Sequence, residues 1–256
     1  MKAAFVLVCL AVLGGVFWYV TAPRPADHLL ISDAVARPVG EGAAVSLMSI
    51  ANTGAPDRLI AVSSSQARAM LVAPEGAEGV PVPTGKSALA MDGAHIMLRN
   101  AGEALGEGAL IALTLQFEKA GDVAVKARLA EPAKTGHAAH VGLLGMGDIH
   151  VIGDGEPVPE LSLSVTQEGP GWRVSLQTRH FAFDEANMGK DHTPGTGHGH
   201  IYVGGMKLGR LFQPTYLIGA LPAGEHVVRV TLNTNDHRAY VADDRPISAE
   251  AVILVD

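Results

Sequence analysis

Nine of the eleven histidines of this chain fall between His137 and His237, while its one cysteine, Cys9, lies in an apolar N-terminal segment. His198 and His200 stand in a strand-like run, Gly197-His-Gly-His-Ile-Tyr-Val203, and His237 ends Asn235-Asp-His237. In a strand, residues i and i+2 share a face with Cα atoms roughly 6.5 to 7 Å apart, so the two imidazoles can converge on one ion. His237 follows the strand-like His226 to Leu232 and an Asn-rich turn, where a loop residue can close the site. His180, and Met188 or His192, are further candidate ligands. Imidazole suits zinc and copper, and thioether points to Cu(I). With eight methionines and no usable thiol, the chain offers ligands of the copper type. The competing reading is structural: His200 packs beside Tyr202, and Asn-Asp-His shapes a turn.

Other chemistries have little support. No Ser-His-Asp constellation, Walker sequence, phosphate loop or dinucleotide fingerprint stands out, so the chain is expected not to be an enzyme. Net charge is −7 and no basic stripe is present, which makes nucleic acid a poor partner.

The elements that must carry these ligands are strands. Hydrophobic residues make up 48% of the 256, enough for real cores, while aromatics are sparse and Gly and Pro plentiful. Ala44-Val-Ser-Leu-Met-Ser-Ile50 and Leu110-Ile-Ala-Leu-Thr-Leu-Gln-Phe117 alternate, and Asn52-Thr-Gly-Ala-Pro-Asp57 and Glu118-Lys-Ala-Gly-Asp122 read as turns. A second series includes Leu161 to Val165, Trp172 to Thr178, His200 to Val203, Lys207 to Phe212, His226 to Leu232 and Ala249 to Val255. No sustained helical stripe appears. The expected fold is all-β, with two β-sandwich domains at 28–130 and 159–256, the second Ig-like. Residues 131–158, with His137, His140, Met146 and His150, read as a His-containing linker.

Lys2 precedes an uncharged apolar run from Ala3 to Ala22 ending near Trp18 and Tyr19. As a helix it would reach roughly 30 Å, the thickness of a bilayer core. Residues 1–22 are read as a membrane anchor or a signal peptide, and Pro23 after Ala22 argues against cleavage there. Either way, residues 23–256 are expected outside the cytoplasm.

The segment from about Ile31 to Leu129 resembles the periplasmic copper chaperones of the PCu(A)C family. The matching text includes Ser49-Ile-Ala-Asn-Thr-Gly-Ala-Pro-Asp-Arg-Leu-Ile-Ala-Val-Ser-Ser64, Val82-Pro-Thr-Gly85, Ala94-His-Ile-Met-Leu98 and Leu113-Thr-Leu-Gln-Phe-Glu-Lys-Ala-Gly-Asp-Val123. The resemblance implies a cupredoxin-like sandwich that holds Cu(I) and passes it to cytochrome c oxidase assembly. It also implies a His-x-Met pair, here His95 and Met97, and a second His and Met from an early hairpin. At the hairpin this chain has Gln66 to Gly76, shorter and without histidine, where Met70 is available, as is Met91 nearby.

The resulting expectation is a periplasmic protein, anchored at the inner membrane or soluble if cleaved, that carries or buffers copper as Cu(I), with Cu(II) as a second state. Its partner would be a copper acceptor such as cytochrome c oxidase or its assembly factors. The alternatives are a non-enzymatic assembly module with a degenerate copper site, and Cu(II) or zinc sequestration by the second domain.

Overall fold

The computed structural model of the chain describes residues 28–40, 42–100, 108–130 and 148–256. The expected anchor or signal segment, and the linker positions His137, His140 and Met146, lie outside the described residues. Among the described residues no helix is long and apolar enough to cross a membrane.

The chain is all-β. The first unit contributes β1 (Leu29–Gly40), β2 (Ala43–Asn52), β3 (Asp57–Ser63), β4 (Arg68–Val72), β5 (Val80–Val82), β6 (Gly85–Leu89), β7 (His95–Arg99), β8 (Leu110–Phe117) and β9 (Gly121–Leu129). The second contributes β10 (Ile149–Val151), β11 (Glu160–Glu168), β12 (Gly171–Arg179), β13 (Ala182–Phe183), β14 (Thr196–Val203), β15 (Met206–Leu211), β16 (Thr215–Ile218), β17 (Gly224–Asn233), β18 (Ala239–Ala242), β19 (Arg245–Pro246) and β20 (Ser248–Val255).

Alternation decides which side chains go inside. In β8, Ile111, Leu113, Leu115 and Phe117 are buried, while Leu110 and Gln116 face outward. Strand β2 divides its partners, pairing β7 through Ala43 to Ser46 and β6 through Met48 to Asn52. The turn between β8 and β9 is held by the buried carboxylate of Asp57, which accepts from the backbone N–H groups of Lys119 and Ala120 at 3.0 and 2.9 Å. In the second unit β14 lies between β15 and β17, and β17 also pairs β20. A separate sheet ordered β11-β12-β16 turns Val174, Leu176 and Ile218 toward the core.

Two sequence expectations change here. Strand β10 sits inside the stretch read as linker, yet it runs parallel to β18 and belongs to the second unit. The two units are also fused rather than strung apart. Lys207 of β15 pairs with Ala88 of β6, and buried apolar residues from both halves form one continuous core. Thr84 N–H donates to Ala220 O at 3.0 Å, and Ala94 N–H donates to Gly205 O at 2.7 Å. Gly205 has φ of 85°, and a Cβ there would stand 2.8 Å from Pro74 Cδ, so the β14–β15 turn can press onto the first unit only as glycine.

Gly197 is similarly constrained. Its φ is 153°, and a Cβ would fall 1.9 Å from the carbonyl oxygen of Asn233. Gly197→Ala is expected to cost more than about 3 kcal/mol, in the large tail of single substitutions. Chemical denaturation of the variant beside the native chain checks this, and a loss under about 1 kcal/mol would contradict the close approach.

Candidate metal centre

The repeat Gly197-His-Gly-His200 has a packing explanation. Gly199 points toward Leu211 and Val230, where its absent Cβ would already sit 3.1 Å from Leu211 Cβ. The opposite face of β14 carries His198, His200 and Tyr202, all buried. The Nε2 atoms of His198 and His200 lie 3.0 Å apart. Two donors on a tetrahedral ion with bonds of about 2.0 to 2.1 Å stand roughly 3.3 Å apart, so the pair already has nearly the spacing of two ligands.

The third histidine arrives as the sequence suggested. The turn after β17 places His237 in the left-handed region at φ 71°, with its ring centroid 4.7 Å from that of His198 and 6.4 Å from that of His200. One nitrogen from each of the three rings lies within 4.8 Å of the others. Two further candidates do not join them. His180 is an exposed left-handed residue at φ 54°, and it belongs to neither histidine cluster of the described residues. Met188 is 38% exposed, with its Sδ 3.9 Å from Arg210 Nη1. Its thioether faces a guanidinium there. His226 is buried with Nε2 donating to Pro222 O at 2.7 Å, a structural arrangement.

Behind the pair stands a carboxylate that the sequence reading missed. Asp92 comes from the first unit, and its Oδ2 lies 2.8 Å from His200 Nδ1 and 2.6 Å from Lys207 Nζ, while Tyr202 donates to it at 2.8 Å. The carboxylate fixes His200 with its proton on Nδ1, so His200 Nε2 presents a lone pair. His198 Nε2–H then donates to that lone pair, which leaves His198 Nδ1 buried without a partner. Such an unpaired buried atom costs about 1–3 kcal/mol. An ion between the two Nε2 atoms would replace the shared proton and take a lone pair from each neutral ring. The donor set therefore suits a metal.

The electrostatics keep these ligands in the form a metal requires. Burial pushes the His198 imidazole down to about 3, with the positive charges around His200, His237, Arg210 and Lys207 adding to it. Burial also lowers His237, aided by Arg210 and Lys207. His200 falls through burial as well, although Asp92 opposes the shift. Burial would raise Asp92, but its hydrogen bond to His200 and the Lys207 charge reverse this and hold it far below the usual carboxylate range.

A pH dependence follows from His198. An unfolded imidazole titrates near 6.5 and the folded one near 3, so between these values the unfolded chain binds a proton that the folded chain refuses. Through His198, metal-free stability should fall as pH drops below about 6.5, and the depressed Asp92 carboxyl carries the fall on to lower pH. Denaturant midpoints at about pH 7 and about pH 5 check the sign, and His198→Gln should reduce the difference, the depressed His200, His237 and His226 keeping the remainder.

In the first unit, His95 and Met97 share the outward face of β7. Strand β4 runs alongside in a register that sets Met70 directly opposite Met97 and Val72 opposite His95. Directly opposed residues have Cβ atoms about 4.5 to 5.5 Å apart, so two thioethers and one imidazole share a patch. His95 Nδ1 lies 2.9 Å from Gly93 O, which leaves Nε2 for an ion. Met70 thus stands near where the family hairpin would bring its methionine, and the missing hairpin histidine has no replacement on these two strands.

A family model described as LpqE-like matches residues 29–129. The apo PCuAC domain from PmoF1 is 31% identical, covering 43% of this chain and 98% of that one, with a TM-score of 0.37. The copper-bound PCuAC domain from PmoF2 is 27% identical, covering 43% of this chain and 97% of that one, with a TM-score of 0.38. Through residues 29–129 the chain belongs to the PCuAC family. No curated protein matches the chain.

The PCuAC unit therefore does two things for the histidine centre. It supplies Asp92, and it holds Asp92 in place through the Ala90–Ala94 turn, where Ala90 N–H donates to Ala94 O at 2.8 Å. That turn also leads directly into His95, so the PCuAC face and the three-histidine centre are joined by a few residues of backbone. Strand β14 and the Asn-rich turn before His237 carried the readable signals for the centre. Asp92 sits in Met-Asp-Gly, an ordinary turn sequence, and its role depends on a partner more than 100 residues away, Lys207.

Proposed function

We propose that this chain is a non-enzymatic copper-binding protein of the periplasm that buffers copper and hands it to an acceptor. The observation that carries the reading is the His198–His200 pair, two Nε2 atoms 3.0 Å apart with a carboxylate behind one of them. Its membership in a family with a copper-bound relative supports copper as the ion. The soft patch of Met70, Met97 and His95 is suited to collecting Cu(I), and the buried imidazoles to holding copper in either oxidation state. Without a thiolate in the set, a better-ligated acceptor can take the ion by ligand exchange. Assembly of cytochrome c oxidase is the acceptor role that the family resemblance suggests, and the apolar N-terminal run would hold the protein at the membrane.

The test is titration of the full chain, because the shared core makes a separated unit a different object. Anaerobic Cu(I) and aerobic Cu(II) should both bind at defined stoichiometry. Met70→Leu with Met97→Leu should weaken Cu(I) uptake while leaving the Cu(II) isotherm in place. A chain that binds neither form more tightly than free imidazole would end the proposal. Tight zinc binding without copper preference would move the reading to sequestration.

A further inference from the structure

We propose that His150, Glu156 and His192 form a second metal site, for a borderline divalent cation of the zinc class. It is separate from the three-histidine centre and shares no ligand with it.

Three chain segments build it. His150 lies on β10, Glu156 on the loop that follows, and His192 on the loop leading to β14. Each imidazole turns its Nε2 to a different oxygen of the same carboxylate, at 2.9 Å in both cases. The ring centroids are 4.0 Å apart with planes tilted by 46°, and both Nε2 atoms stand beside the same Glu156 carboxylate. The donor atoms lie within 4.8 Å of one another. Neighbouring donors on a four-coordinate zinc stand roughly 3.3 Å apart, a distance reached by small ring movements.

The surroundings hold these rings in place. The pairing of β10 with β18 sets His150 opposite Tyr240, and the Tyr240 ring stands edge-on to both imidazoles at 5.5 and 5.6 Å. Its hydroxyl donates to Thr196 O at 2.9 Å, which locks that wall. All three ligands keep some solvent access, with side-chain exposures of 13, 11 and 14% for His150, Glu156 and His192. An ion can therefore enter. Two neutral imidazoles and one carboxylate give a singly negative donor set with nitrogen and oxygen only. That chemistry suits a dication such as Zn2+ and offers Cu+ no soft ligand. The nearby Asp236 carboxylate is already engaged by Arg238 at 2.9 Å and by Thr234, so it is no competing ligand.

The experiment is Zn2+ titration of the full chain, native and Glu156→Gln, followed through the imidazole nitrogen resonances. In the native chain His150 and His192 Nε2 should shift on binding, and Glu156→Gln should remove one bound equivalent. The variant His198→Ala with His200→Ala should keep the His150 and His192 response, which separates this proposal from the fate of the other centre. Unmoved His150 and His192 resonances in the native chain would overturn the site, whether or not Glu156→Gln folds. An unchanged Zn2+ stoichiometry in a folded Glu156→Gln chain would also overturn it and leave the cluster as a hydrogen-bonded brace.

Discussion

Replacing His198 and His200 together by alanine is expected to weaken copper binding at the three-histidine centre by more than about a hundredfold. Loss of an outer partner alone costs about 10–100-fold at metal sites, and this variant removes two ligands from the ion itself. Both side chains are nearly fully buried, so the variant also leaves a cavity and its fold must be checked by circular dichroism. Competition titration against a chelator of known affinity measures the change. Equal affinity in a folded variant would mean that these histidines only pack, and the copper reading would fall back on the His95, Met97 and Met70 face.

Asp92→Asn should weaken the same centre by about 10–100-fold while leaving all three imidazoles present. The amide keeps the size of the carboxylate but no longer compels His200 to carry its proton on Nδ1. It also leaves the Lys207 ammonium, 2.6 Å away, without its counter-charge. Asp92 keeps 22% side-chain exposure, so the stability loss should be about 1–3 kcal/mol rather than the larger cost of a fully buried broken pair. Metal affinity and unfolding free energy are both measured. A drop in stability with unchanged affinity would show that Asp92 serves the joint between the units and not the centre.

Much of this protein was legible in its sequence, and the limit follows from what periodicity encodes. Alternation in Leu110 to Phe117 gives the inward residues of β8 directly, and the spacing of His198 and His200 gives their shared face. Turn chemistry around Asn233 to Asp236 marks where a third ligand can return. Periodicity says which face a residue occupies, not what that face meets. Asp92, the pairing of β10 with β18, and the meeting of His150 with His192 are therefore all invisible until the chain is folded. The reading of 131–158 as linker missed β10 for the same reason: Ile149–Val151 is too short to announce itself as a strand and is one only because Ala239–Val241 pairs with it. His180 and Met188 were plausible by composition, and local backbone conformation and an arginine neighbour direct them elsewhere.

The glycine turn at Gly204–Gly205, seated on Pro81 and Pro74, bears on how such a protein can change over time. A module that touches its neighbour only through a tether can be duplicated, lost or transplanted freely. Here the PCuAC unit finishes its neighbour's core and contributes a charge to that neighbour's histidine, so neither half is a portable cassette. Exchanging the PCuAC unit for a relative lacking the aspartate at position 92 and glycine at position 93 would deliver a domain able to fold but unable to dock.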